Sequence, residues 1–133
     1  MGNVWLTFGR TLFVMSDNKI IGAYGEQLAC AYLERQGYEI IRRNYKASYK
    51  ELDIVARKED MLIFAEVKTR TSNWYGGGEE AVTYQKQQAM KKGIGSFLYR
   101  ERVWHRDVRA DVITITIDKR RKTAKIKHYE NIL

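Results

Sequence analysis

The 133-residue chain has no proline, one cysteine and two histidines, and these shortages exclude several classes of protein. Because Cys30 is alone, an intrachain disulfide and a cysteine-rich zinc site are both impossible. We therefore expect a small core residue at Cys30 and a cytoplasmic location for the protein. His105 and His128 have no second histidine at ligand spacing, so we interpret both as structural or surface residues. Without proline, glycine is the main residue that interrupts helices and strands.

The chain also lacks a long apolar segment. Its most apolar stretch, V-W-L-T-F-G-R-T-L-F-V-M, lies within residues 1–18 and is interrupted by Arg10. It carries no positive charge at its start, no small-residue cleavage site follows, and it is too short and broken to span a bilayer. We interpret residues 1–18 as an N-terminal appendage, with Met15 as an alternative natural start. Residues 19–133 are predicted to form a single domain, because a chain of this length closes one core.

Basic residues outnumber acidic ones, and the formal net charge is +8. Such a surface attracts polyanions. The expected partner is nucleic acid, with DNA as the favoured form and no membrane. An acidic protein partner and a homodimer stay open as alternatives.

The most informative stretch runs from residue 51 to residue 70. Apolar residues at every second position predict two strands, 51–57 and 61–69, joined by a tight turn at Glu59 and Asp60. The second strand is apolar enough to be buried on both faces, so the carboxylate of Glu66 requires a partner there.

Antiparallel pairing around that turn sets Asp53 opposite Glu66 and Glu51 opposite Lys68, with all four side chains on one face. Two facing carboxylates repel each other, which indicates a divalent cation, Mg²⁺ or Mn²⁺, bound between them. Lys68 then lies where an amine would hold a phosphate oxygen or polarise an attacking water. The alternative is a solvated sheet face on which charges simply alternate.

The same stretch resembles the active-site signature of the PD-(D/E)xK nuclease superfamily, and its spacing is similar to that of archaeal Holliday-junction resolvases. From about residue 19 onward, the chain more closely resembles the YraN family of small bacterial proteins. The matching segments are G-x-x-G-E-Q-L-A at 22–29, Y-L-E-R-Q-G-Y at 32–38, R-R-N-Y at 42–45, E-L-D-I-V-A at 51–56, F-A-E-V-K-T-R at 64–70, E-A-V-T-Y-Q-K at 80–86, R-A-D-V at 109–112 and I-K-H-Y at 126–129. Two positions depart from that family: Lys50 stands where glycine is usual, and Ala110 where phenylalanine is usual.

The resemblance implies an α/β, restriction-endonuclease-like fold with a mixed central sheet of about five strands flanked by helices. It also implies a metal-dependent endonuclease that hydrolyses phosphodiester bonds in DNA, including structured or branched DNA. Asp53, Glu66 and the main-chain carbonyl of Val67 are then the predicted ligands of Mg²⁺ or Mn²⁺, and Lys68 positions the nucleophile. The alternative is a non-catalytic nucleic-acid-binding module of the same fold.

A helix is predicted from Asn18 to Gln36, with Ser16, Asp17 or Asn18 as its cap. Glu26 shares a column of this helix with Gly22, Ala29 and Leu33, so it is a candidate additional metal ligand or orienting acid. The resemblance supports this role, because related resolvases carry an acid on their first helix. The alternative is a boundary glutamate with its carboxylate in water.

A glycine-rich loop at 71–78 precedes a second predicted helix at 79–99. Glu79 and Glu80 at its start are expected to interact favourably with the helix dipole. Lys86 falls in the apolar stripe of this helix, so it is a candidate phosphate contact with Gln85 beside it; the alternative is an amine that reaches into solvent. Two further strands are predicted at about 108–117 and 123–129. The other candidate DNA-backbone contacts are Arg42, Arg43, Lys46 and Arg70.

Overall fold

The structure is a computed structural model that describes residues 3–7, 18–47, 50–71, 83–103 and 107–133. Its elements, in chain order, are β1 (Asn3–Thr7), α1 (Asn18–Arg35), β2 (Glu39–Ala47), β3 (Lys50–Lys58), β4 (Met61–Thr71), α2 (Tyr84–Arg100), β5 (Asp107–Asp118) and β6 (Thr123–Tyr129). Several predictions concern residues outside the described ranges: the caps Ser16 and Asp17, most of the glycine-rich loop, the pair Glu79 and Glu80, and His105.

The strands form one sheet in the order β1-β6-β5-β4-β3-β2. Strands β4 and β5 are parallel and the other neighbouring pairs are antiparallel, so the predicted α/β class with a mixed sheet is confirmed. The sheet has one strand more than the five expected, because residues 3–7 pair with β6 at its edge. The boundary of the predicted domain at residue 19 stays a prediction. Neither described helix has the length and apolar character that a membrane crossing requires.

The two helices cover opposite faces of the sheet, because β3, β4 and β5 carry apolar side chains on both sides. Side chains such as Ile63, Ile113 and Leu33 pack in the cluster that α1 covers, which also contains the buried thiol of Cys30, as predicted. The other cluster, under α2, is built around Phe64, with Met90, Ile94 and Phe97 from the helix. The central strands are thus buried on both faces, the environment predicted for the strand that carries Glu66.

The hairpin of β3 and β4 has the predicted register. Lys58 pairs with Met61 next to the turn, and Ile54 pairs with Ala65 at the other end of the ladder. Glu59 takes a positive φ of 55°, the left-handed conformation that tight hairpin turns require. The polar residues at this turn therefore do what the sequence pattern indicates.

One prediction about this hairpin is wrong, because side chains do not alternate strictly along β3. Leu52 packs under α2, whereas Ile54, two residues later, packs under α1. The neighbouring strand β2 is irregular at the same level, where Asn44 has a φ of 51° between Arg43, which pairs with Ile54, and Tyr45, which pairs with Leu52. The expected common face for Glu51, Asp53, Glu66 and Lys68 depended on strict alternation, so it does not hold for Glu51.

A buried polar network connects α1 to strands β5 and β6. Asp111 on β5 is fully buried and accepts hydrogen bonds from Arg109 at 2.8 Å and from the main-chain N–H of Asn131 at 3.0 Å. Its Oδ2 is also 2.7 Å from Nε2 of His128, whose Nδ1 is 2.9 Å from the hydroxyl of Tyr32 on α1. Burial acts to raise the pKa of Asp111, but the bonds from His128, Arg109 and Asn131 together lower it. His128 is therefore structural, as predicted.

Candidate active site

The candidate site lies where β3 and β4 separate. The last main-chain pair of their ladder is Ile54 with Ala65, and Asp53 and Glu66 are the next residues on the two strands. Beyond that pair, the main-chain N–H of Val67 donates to Oδ2 of Asp53 at 2.9 Å. A carboxylate thus takes up a donor of β4 that would otherwise need another partner. The structure brings Asp53 and Glu66 together, as the hairpin register predicts.

The surroundings of Asp53 bring the pKa of its carboxyl close to neutral pH. Burial and then the charge of Glu66 raise the pKa of Asp53 to about 7, although the hydrogen bond from Val67 opposes the shift. A carboxylate whose pKa is raised partly by a neighbouring carboxylate is held beside it at a cost in free energy. Groups with strongly perturbed pKa values are frequent at functional sites, and a bound cation would remove the repulsion.

Glu66 already has a positively charged neighbour that the sequence analysis did not include in the site. Nζ of Lys50, the first residue of β3, lies 3.1 Å from Oε2 of Glu66. The aliphatic stem of Lys50 runs beneath α2, where its Cγ is 3.3 Å from the position that a Cβ on Gly93 would occupy. The sequence marks Lys50 only as a departure from the resembled family, so a pattern of alternating acids on two strands could not identify this contact.

Helix α1 brings Glu26 close to the acidic residues of the hairpin, from the face of the sheet that α1 covers. Gly25 makes this possible, because a Cβ at that position would overlap the side chain of Thr69 on β4. Burial, followed by the charge of Glu51, raises the pKa of Glu26, and a weaker contribution comes from Glu66. The predicted proximity of Glu26 to the acids is therefore present.

Two groups from β2 also act on Glu26. The charge of Arg43 and a side-chain hydrogen bond with Asn44 both lower the pKa of Glu26. Arg43 was predicted as a DNA-backbone contact, and its charge acts on the acidic region. Asn44 was missed. It has a positive φ of 51°. Asparagine tolerates this conformation better than most residues, so the residue type is the only signal in the sequence that could have marked it.

Helix α2 contributes the amine of Lys86. The N-cap of this helix is Thr83, whose side chain accepts from the main-chain N–H of Lys86, so the helix begins later than predicted. Burial and then the charge of Lys68, with which Lys86 is in hydrogen-bonding contact, lower the pKa of the Lys86 amine, and Glu66 acts in the opposite direction. Lys68 and Lys86 therefore meet beside Glu66, as the predicted phosphate contacts require.

A small cavity beside Glu66 has a volume of about 10 Å³, which is near the minimum for one water molecule. Gln87 lines this cavity, whereas the predicted neighbour Gln85 is exposed. The side-chain amide of Gln87 donates to the main-chain carbonyl of Ile132 at 3.1 Å, so the residues after β6 help to close this side of the site. The other lining residues are Lys50, Lys86, Met90 and Val112.

The remaining predicted backbone contacts are dispersed. Nη2 of Arg42 lies 3.2 Å from Oε1 of Glu101, which is the C-cap of α2. This is the opposite end of the helix from Lys86, so the structure does not bring Arg42 to the acids. Lys46 is exposed on β2 and lies beside the entry to β3. Arg70 is half-buried two residues beyond Lys68 on β4. Their contact with DNA stays a prediction.

The carboxylates at the centre suit a hard cation, but they are few. Within the described parts of the chain, no three carboxylate, imidazole or thiol groups come together to hold a metal ion. Asp53 and Glu66 supply carboxylate oxygens, the ligands that Mg²⁺ and Mn²⁺ prefer, and such ions usually keep several waters. These residues therefore fit a metal that is bound by few protein groups, and the carbonyl of Val67 stays a predicted third ligand.

Comparison with known proteins finds close relatives across most of the chain. The profile of a family described as uncharacterised protein family UPF0102 matches residues 25–115. The UPF0102 protein of Alkaliphilus oremlandii is 42% identical over 116 residues, which cover 86% of this chain and 97% of the relative. That of Geobacter sulfurreducens is 48% identical over 100 residues, covering 75% of this chain and 78% of the relative.

A solved structure of another protein is weakly similar. It is SfsA of Pyrococcus furiosus in complex with Ca²⁺, which is 14% identical and has a TM-score of 0.36. The alignment covers 86% of this chain and 64% of SfsA, so the chain spans less than two thirds of that protein. A likeness this weak supports no inference about the chain.

Proposed function

Since the chain belongs to the protein family UPF0102, we propose, from the geometry of its acidic centre, that it is a metal-dependent nuclease that hydrolyses phosphodiester bonds in DNA. The observation that carries the proposal is the pairing of Asp53 with Glu66 next to the amines of Lys68 and Lys86. Burial and then the charge of Glu66 raise the pKa of Asp53 to about 7. Half-buried acids that repel each other, beside amines that also repel each other, form a site suited to a cation and a phosphate together.

Each residue then has a separate task. Asp53, held by the N–H of Val67, and Glu66 present oxygens to Mg²⁺ or Mn²⁺. When bound, the ion lowers the pKa of a water and offsets negative charge on the scissile phosphate. Lys68 positions the attacking water, and Lys86 holds a phosphate oxygen from the side of α2. Glu26 lies on the α1 side and orients the acidic groups.

Charge supports DNA as the substrate. The net charge of +8 favours binding to a polyanion, and contacts to phosphates position a duplex without reading its sequence. Arg43, Lys46 and Arg70 are the proposed contacts to the DNA backbone. Structured or branched DNA is the proposed substrate class, in line with the resemblance to resolvases.

The test is cleavage of labelled linear, single-stranded, flap and four-way DNA in the presence of Mn²⁺. We expect the native protein to cut at least one substrate and Asp53→Asn to cut none while it still folds and binds DNA. Asp60→Asn, which changes an exposed acid in the turn of the same hairpin, serves as the matched control and is expected to cut normally. Equal cleavage by Asp53→Asn and the native protein would overturn the proposal.

A non-catalytic nucleic-acid-binding module is the second candidate, and one contact favours it. Because Lys50 is 3.1 Å from Glu66, one acid of the centre is already neutralised without a metal. Calorimetric titration with Mg²⁺ and Mn²⁺ separates the candidates. Metal binding by the native chain that is lost in Glu66→Ala supports the nuclease, whereas salt-sensitive DNA binding without any metal binding supports the module.

A further inference from the structure

We propose that Lys50 is an internal counter-ion that competes with the divalent cation for Glu66, and so sets the metal affinity of the centre. The inference rests on the proposed function, because it concerns the same two carboxylates. Lys50 would be a positioning residue that touches a metal ligand, without itself contacting the substrate.

The contact is built into the fold through the stem of Lys50. The side chain starts at the first residue of β3 and runs beneath α2, where Gly93 leaves room for it. Its Nζ then lies 3.1 Å from Oε2 of Glu66, and the two side chains are only 21% and 20% exposed. An ion pair shielded to this degree is screened less by salt than a surface pair and is worth more.

The space beside Glu66 makes the competition direct. The cavity there, about 10 Å³ in volume, is lined by the Lys50 side chain itself. A hydrated divalent cation requires more room than one water molecule, because such ions keep several waters in their coordination shell. The amine must therefore leave Glu66 before a cation can take that oxygen.

The surrounding charges favour the departure of Lys50. Lys68 and Lys86 already lie beside Glu66, so three amines share the neighbourhood of one carboxylate. A divalent cation between Glu66 and Asp53 adds positive charge next to the Lys50 amine and repels it. Binding of the metal and retention of the Lys50 contact are thus mutually exclusive, and the free energy of the ion pair is subtracted from the metal affinity.

Lys50→Met tests this without disturbing the packing, because the methionine stem can fill the same groove beneath Gly93. Calorimetric titration with Mn²⁺ is expected to show binding about tenfold tighter in Lys50→Met than in the native chain, since a partly buried ion pair of about 1.4 kcal/mol corresponds to that factor. Lys50→Arg keeps the charge and is expected to bind Mn²⁺ like the native chain. Lys119→Met, at an exposed site in the β5–β6 turn, removes the same charge elsewhere and is expected to change affinity less than about twofold.

The outcomes distinguish this inference from the proposed function. If Glu66→Ala abolishes Mn²⁺ binding and Lys50→Met binds no more tightly than the native chain, Lys50 is not a competitor, and the nuclease proposal stands. Weaker Mn²⁺ binding by Lys50→Met than by the native chain would likewise show that Lys50 does not compete with the metal. If neither the native chain nor Lys50→Met binds Mn²⁺, both proposals fall. Binding detected only in Lys50→Met supports the inference in its strongest form.

Discussion

Asp53 on β3 accepts a hydrogen bond from the main-chain N–H of Val67 on β4, and the donor and acceptor are 2.9 Å apart. The bond lies directly beyond the last main-chain pair of the two strands, Ile54 with Ala65. It fixes one oxygen of the carboxylate while the charge of Glu66 acts on the whole group. An asparagine at this position can keep the hydrogen bond and lose the charge, which allows the two effects to be separated.

Asp53→Asn is expected to stabilise the metal-free protein at pH 8 by about 2 kcal/mol, because it removes a buried charge that is costly next to Glu66. The pKa of Asp53 is raised from 3.8 to about 7 in the folded protein, so the native carboxyl destabilises the fold fully above pH 7. The gain should shrink as the pH falls from 7 towards 3.8, where folded and unfolded chains are both protonated. Urea denaturation at a series of pH values measures it; a gain that is independent of pH would contradict the assigned cause.

Gly25→Ala is expected to destabilise the fold by about 1–3 kcal/mol, because the added methyl group overlaps the side chain of Thr69 and pushes α1 away from β4. Gly22→Ala, in the same helix, has open space at its Cβ position and is expected to stabilise by about 0.5–1 kcal/mol through helix propensity. Thermal denaturation compares the two variants. Adding Thr69→Ala to Gly25→Ala should recover part of the loss, and no recovery would show that the steric account is wrong.

Asp111→Asn is expected to destabilise the fold by about 3 kcal/mol at pH 7. It removes the negative charge that pairs with Arg109 and puts an NH2 donor in place of one of the two oxygens that Arg109, His128 and Asn131 contact. Since the pKa of Asp111 is lowered in the folded protein, the native carboxylate stabilises above its unfolded value of 3.8, and that stability is lost as the pH falls through the folded value. The difference between variant and native protein should therefore shrink in acid. Asp107→Asn, an exposed acid on the same strand, is the control and should stay within about 0.5 kcal/mol.

Lys86→Met is expected to weaken DNA binding and to reduce the slope of log affinity against log salt concentration by about 1, the value for one lost phosphate contact. Lys91→Met, on the exposed part of the same helix, removes an equal charge and should change the slope less. Fluorescence anisotropy at several salt concentrations gives both slopes. Equal slopes for the two variants would mean that Lys86 contributes only general charge.

The hairpin was the most predictable part of the site. Alternating apolar residues and the polar pair at 59 and 60 were sufficient to set Asp53 next to Glu66, because side chains in paired strands have a fixed period and register. The stripe of α2 likewise placed Lys86 near the sheet. Both predictions depended on local geometry alone.

Contacts that arise from packing between elements escaped prediction. Lys50 reaches Glu66 only because α2 crosses β3 at Gly93. Glu51 does not share the predicted face of the sheet, because the alternation of side chains fails between Leu52 and Ile54. Arg42 was predicted as a DNA-backbone contact together with Arg43, whereas its ion pair with Glu101 places it at the far end of α2.

The class of fold was expected from the resemblance to a known family. By itself, the sequence determined the strands and helices around the centre and the identity of the two facing acids. These follow from periodicity, which acts over a few residues and is independent of the rest of the chain. Only the tertiary structure decided which charges surround those acids. Long side chains such as Lys50 select their partners through the packing of helices on the sheet, and Gly25 lets α1 approach β4, since close packing joins residues that are distant along the chain.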